Sequence, residues 1–113
     1  MTSFKQSFSL DKRSHESSMI RQKYPDRIPC IIEHTSSSIR LLKKKFLVPS
    51  YITIGELLYI IRQKSRLSHT DALFLFVNNS LPPHTYSIQQ IDSLHRDSDG
   101  FLYINCSTEN TFG

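Results

Sequence analysis

The sequence predicts an α+β domain, a mixed four-stranded sheet with its main helix on one face. Three observations carry this: four short apolar runs of strand length, one clear amphipathic helix between the second and third runs, and a short helix before the fourth. One hairpin and one helical crossover among four strands give a mixed sheet. The 113 residues suffice for one domain with a modest core, and 38% hydrophobic with 21% charged residues is an ordinary globular composition.

Residues 1–24 are polar and basic, with thinly spaced apolar positions at Phe4, Phe8, Leu10, Met19, Ile20 and Tyr24. Ser9 is placed to cap a helix, with Asp11 in its first turn. One or two helices are expected here, ending before Pro25 and forming an extension laid on the domain, because so sparse an apolar face cannot build a core. The first strand is Ile28–Glu33, with Pro29 marking an edge or a strand beginning. The loop His34–Ser38 leads to a second strand over Lys44–Pro49. Thr53 and Glu56 form a capping box. Ile54, Leu57, Leu58 and Ile61 then follow at i, i+3, i+4 and i+7, with Arg62, Lys64 and Arg66 toward the end. Ala72–Val77 is apolar throughout, which predicts a central strand buried on both faces. Asn78-Asn79-Ser80 is a turn. Thr85 or Ser87 caps a short helix carrying Ile88, Ile91 and Leu94, and a turn at Asp97–Gly100 precedes the last strand, Phe101–Cys106. This order is the ubiquitin-like β-grasp arrangement. It divides the chain into an N-terminal helical extension (1–24), a ubiquitin-like domain (25–106) and a flexible tail (107–113).

The tail is polar and ends in a glycine carboxylate at Gly113. Without a Cβ, that residue lets the backbone approach another surface closely, so the protein itself can become an acyl group for activation. The net charge of +4 favours acidic partners. No run of about 18 apolar residues offers a membrane span, and Met1–Phe8 lacks the apolar core of a secretion signal. Cys30 and Cys106 have no metal spacing and are expected to be buried, reduced packing residues. No nucleophile motif surrounds either cysteine, and the histidines show no zinc pattern, so neither catalysis nor a metal is expected. In the second strand, period two sends Lys45 and Leu47 to one side and Phe46 and Val48 to the other. An exposed edge there could take up an extended peptide as an added strand.

Five stretches stand out together: Asp26–Pro29, Lys45–Pro49, Phe76–Pro83, Asp99–Tyr103 and Glu109–Gly113, spanning nearly the whole chain. In sequence and in order they resemble the autophagy ubiquitin-like modifiers, the GABARAP-type proteins attached to phosphatidylethanolamine. The chain departs from the pattern at Thr108, where a glycine is usual, at Ser18 and Met19, where charges are usual, and in a short first loop. Family precursors carry residues beyond the glycine. This sequence lists none, which leaves open a tail that needs no priming and one already trimmed.

The resemblance implies that Gly113 is the conjugated residue, with Thr111 and Phe112 recognised alongside it. It implies no cofactor. The implied partners are activating and conjugating enzymes, a deconjugating cysteine protease, phosphatidylethanolamine membranes, and receptors carrying an aromatic-x-x-aliphatic motif. The implied aromatic pocket comprises Glu16, Ile20, Pro29, Ile31, Lys45, Leu47 and Phe101. The aliphatic pocket comprises Phe46, Val48, Pro49, Ile52, Leu57, Leu58 and Ile61. Arg27, Lys43, Lys45 and Lys64 would form a rim attracting acidic neighbours of the motif. The expected location is cytoplasmic, and autophagosomal once lipidated. The competing reading is a non-conjugated trafficking or cytoskeletal adaptor that binds acidic surfaces through Lys5, Lys12, Arg13, Arg21 and Lys23. Nucleic-acid binding is not expected, because no aromatic RNA-binding signature is present.

Overall fold

The computed structural model describes residues 3–36 and 38–109. Two helices open the chain, α1 (Phe4–Ser7) and α2 (Leu10–Lys23). Ser3 caps α1 in a box with Gln6, and Ser9 caps α2 through the Lys12 amide. The strands are β1 (Arg27–His34), β2 (Lys45–Pro49), β3 (Phe74–Phe76) and β4 (Leu102–Ser107). Between them lie α3 (Ile54–Lys64) and α4 (Ile88–His95). The Thr53–Glu56 capping box forms as expected, and Ser87, not Thr85, caps α4 in a box with Gln90.

The sheet runs in the order β2-β1-β4-β3. β1 pairs antiparallel with β2 and parallel with β4, and β3 pairs antiparallel with β4. The third strand is therefore an edge of three residues, where the sequence pointed to a central strand. Its neighbours Leu73 and Val77 are buried by packing beyond the ladder, which is why the whole run is apolar. The central strands are β1 and β4. Pro29 lies opposite Leu47 near the start of β1, before the first β4 partner at Cys30, so its missing N–H falls outside the β4 ladder. Asn78 and Asn79 both take positive φ in a two-residue turn closed by reciprocal bonds between Val77 and Ser80.

Side-chain alternation divides the interior into two parts. Ile28, Cys30, Ile32, Leu102, Ile104 and Cys106 face the main core with Ile54, Leu57 and Ile61 of α3 and Ile88 and Ile91 of α4. Leu94 of α4 is exposed and does not join it. Ile31 and Phe101 face the other way and pack with Phe4, Ile20 and Tyr103 under the N-terminal helices.

Candidate functional site

β2 is an open edge flanked by a different helix on each side of the sheet. The Ile32 N–H donates to the Lys44 carbonyl at 2.8 Å. Antiparallel alternation then makes Cys30–Phe46 and Ile28–Val48 the hydrogen-bonded pairs and turns the backbone groups of Lys45 and Leu47 outward. These outward groups are what an added strand would pair with. One of them is already engaged: Arg27 Nη1 donates to the Leu47 carbonyl at 3.1 Å. A peptide strand would displace that guanidinium and leave it free to meet an acidic side chain.

On the α2 side, the structure brings the expected aromatic-pocket residues together. Ile31 and Phe101 are fully buried and form a floor, with Pro29 buried beside them. Glu16, Ile20, Lys45 and Leu47 are half-buried walls. Lys45 Nζ donates to Glu16 Oε2, tying β2 to α2. Phe4 also packs here, its ring centroid 5.3 Å from that of Phe101 in an edge-on arrangement. Its N–H donates to Glu33 Oε2 at 2.8 Å.

On the α3 side, Val48, Ile52, Leu57 and Ile61 are buried in the main core and can serve only as floor. Phe46, Pro49 and Leu58 remain half-exposed, so they are what a ligand could touch. Lys43 Nζ stands 4.9 Å from the Phe46 ring centroid, while Lys64 is exposed in the last turn of α3.

A third group of residues, silent in the sequence, holds α2 in place. Asp99 is buried and accepts from Arg13 Nη1 at 2.6 Å, from the Phe101 N–H at 2.8 Å and from the Tyr103 hydroxyl. Burial, followed by this bond to Asp99, pushes the Tyr103 phenol well above its ordinary range. Buried Asp92 accepts from both Arg21 and Arg96. Ser17 Oγ donates to the Asp99 carbonyl, and Arg21 Nη2 donates to the Gly100 carbonyl at 2.8 Å. No periodicity links residues 71 to 86 positions apart, so only the Asp97–Gly100 turn hinted at this anchor.

The tail leaves β4 beside the β1–β2 connection. The Thr108 N–H donates to Ser36 Oγ at 3.2 Å, and the two hydroxyls lie 3.0 Å apart. Thr111, Phe112 and Gly113 lie outside the described residues. Cys30 and Cys106 are free and buried. Burial pushes the Cys106 thiol up to about 12 and raises that of Cys30 further, so both stay protonated at neutral pH. Among the described residues, no cluster of three or more His, Cys, Asp or Glu could hold a metal, and no helix is long and apolar enough to cross a membrane.

A β-grasp sheet with a helical pair on its second face and an open β2 edge defines a ubiquitin-like protein with an N-terminal extension. The family described as "Autophagy protein Atg8 ubiquitin like" matches residues 12–113. Autophagy-related protein 8d of Arabidopsis thaliana is 45% identical over 115 residues, covering 100% of this chain and 96% of that protein. Autophagy-related protein 8 of Schizosaccharomyces pombe is 48% identical over 112 residues, covering 97% and 93%. The solved structure of Plasmodium falciparum Atg8 in complex with a Plasmodium falciparum Atg3 peptide matches with a TM-score of 0.91 at 35% identity, covering 99% of this chain and 100% of that one. Trypanosoma brucei ATG8 matches at 0.90 and 35%, covering 100% and 99%. The chain belongs to the Atg8 family of autophagy ubiquitin-like proteins.

Proposed function

We propose that this protein is conjugated through Gly113 to phosphatidylethanolamine on autophagosomal membranes, where it acts in autophagosome formation and recruits cargo receptors through the β2 edge. The observation that carries the reading is that open edge, with half-buried apolar residues on each side of the sheet (Ile20 and Leu47 on one, Phe46, Pro49 and Leu58 on the other), in a chain of the Atg8 family. The peptide held by the Plasmodium falciparum relative supports a peptide site here. An extended motif pairs with Lys45 and Leu47, sets its aromatic residue among Glu16, Ile20, Pro29 and Leu47, and sets its aliphatic residue on Phe46, Pro49 and Leu58. Arg27, Lys43 and Lys64 meet the motif's acidic neighbours.

In conjugation the chain is substrate, not catalyst. ATP adenylates the Gly113 carboxylate with release of pyrophosphate. An activating-enzyme thiol displaces AMP to give a thioester, which passes to the thiol of a conjugating enzyme. The lipid amine then attacks, forming an amide and releasing that thiol. A deconjugating cysteine protease reverses the link. The free protein is cytoplasmic and the conjugate membrane-bound, since two acyl chains anchor stably where one does not. In this reading residues 1–24 are an extension, 25–106 the ubiquitin-like domain and 107–113 the conjugation tail, with the correction that Ser107 is still the last residue of β4, buried opposite Phe74.

The adaptor reading is weakened by geometry. Lys5 pairs with Asp97, Arg13 with Asp99 and Arg21 with Asp92, so three of its five cations serve the fold. The test is reconstitution with the family's activating and conjugating enzymes, ATP and phosphatidylethanolamine liposomes, read by intact mass. A gain of the lipid mass less one water, absent when Gly113 is deleted, is expected. An unchanged mass, while the same enzymes modify an authentic relative, overturns conjugation.

A further inference from the structure

We propose that the connection between β1 and β2 is a membrane-contact loop, which lays Leu42 into the interface of an anionic phospholipid bilayer with Arg40 and Lys43 on its headgroups. Ile39 is buried and Leu41 packs half-buried against the main core. The Arg40 N–H donates to the Ser65 carbonyl at the end of α3, 3.3 Å away. The segment is therefore fastened at its inward positions while Arg40, Leu42 and Lys43 are exposed. Leu42 is 99% exposed, barer than any other large hydrophobic residue among those described.

A single exposed leucine is ordinary on a soluble surface. Its setting is what distinguishes this one. It stands between Arg40 and Lys43, and the nearby carboxylate of Glu33 is paired to Lys44 at 3.2 Å. Leu42 stands at the lip of an open recess shared with Gln6, Glu33 and Leu41 but is itself almost fully bare, and a bilayer interface receives such a protruding apolar group with cations around it.

The position of the tail gives a second, independent argument. The Thr35 N–H donates to the Cys106 carbonyl at 3.3 Å and the Thr108 N–H to Ser36 Oγ, so the chain leaves the sheet beside this loop. The remaining stretch to Gly113 spans at most roughly 17 Å. A lipid attached there would hold the loop against the same membrane and raise its effective concentration; this clause alone rests on the conjugation reading.

The chain contains no tryptophan, so Leu42→Trp creates a unique reporter. The unconjugated protein, without enzymes or ATP, is titrated at low salt with vesicles of phosphatidylcholine plus phosphatidylserine. The expected result is a blue shift in emission that salt reverses and that is absent with phosphatidylcholine alone or with inorganic phosphate. Adding Arg40→Gln and Lys43→Gln weakens binding roughly twenty-five-fold, about fivefold per cation. In the wild-type background, Leu42→Ser lowers vesicle co-sedimentation about tenfold. A tryptophan at Tyr59, exposed on α3, stays unshifted. No shift with phosphatidylserine vesicles, an equal shift at position 59, or undiminished binding of the double glutamine variant would overturn the proposal. Arg40, Leu42 and Lys43 are all exposed, so the variants keep the fold. Failure here leaves the Gly113 reading standing, and failed lipid transfer leaves the loop standing.

Discussion

The two faces of the sheet are covered by helices held in opposite ways. The α3 face is dry: Ile54, Leu57 and Ile61 enter a continuous core with alternate residues of β1 and β4. The α2 helix buries one residue completely, and that residue is Ser17. Its hold is a small cluster around Phe4, Ile31 and Phe101, plus Arg13 and Arg21 reaching to Asp99, Gly100 and Asp92. Apolar burial is non-directional and gives α3 its stability, whereas hydrogen-bonded ion pairs give α2 a fixed position. The β2 edge lies where these two constructions meet, so one side of the site is core and the other is a helix held by polar anchors.

The sharpest way to break the comparison is to cut each face. Ile61→Ala should lose about 3 to 4 kcal/mol and lower the urea midpoint of the whole domain, because it opens a cavity in the shared core. Ile20→Ala, half-buried on the other face, should lose about 1 kcal/mol. Equal losses would mean that the faces are not held differently. Asp92→Asn should come next, at about 3 kcal/mol, since it removes the buried charge that both Arg21 and Arg96 pair with and turns an NH2 toward a guanidinium. Hydrogen exchange should then rise in α2 and α4 before α3.

Gly100→Ala should cost about 2 kcal/mol. Gly100 has φ +90°, and an added Cβ would sit 2.3 Å from Ser17 Oγ. Its signature is loosening of α2 with α3 still protected. The smallest effect belongs to acid. Burial pushes the Asp97 carboxyl up, but the hydrogen bond and charge of Lys5 and the Asp99 amide hold it below its ordinary value. Its contribution is thus present above the ordinary carboxylate range and lost as pH falls through the lowered pKa. Amide exchange in α1 should quicken there, and sooner in high salt.

The dry face was largely legible in the sequence, because periodicity and capping are local. The spacing of Ile54, Leu57, Leu58 and Ile61 behind Thr53 marked α3, and alternation in β2 placed Phe46 and Val48 on its side. The run Ala72–Val77 misled, because burial by loop packing looks the same in sequence as burial within a sheet. The α2 face was mostly illegible. Arg13 and Asp99 read as surface charges until the fold brings them together, and Phe4 looked too isolated to be core. In the site, the alternation of the edge was readable. The engagement of the Leu47 carbonyl by Arg27, and the finding that only Phe46, Pro49 and Leu58 of the proposed aliphatic pocket's apolar residues are partly exposed, needed three dimensions.

The most direct test of the account is an amide chemical-shift titration of the full chain with an acidic peptide carrying an aromatic-x-x-aliphatic motif. The account predicts the largest shifts at the Lys45 and Leu47 amides, with Ile20 on α2 and Leu58 on α3 moving together. Movement should be small in the rest of the sheet, and the affinity should fall when Leu47 is replaced by Asp. Shifts confined to one face, shifts centred away from β2, or no shifts at low salt would contradict it.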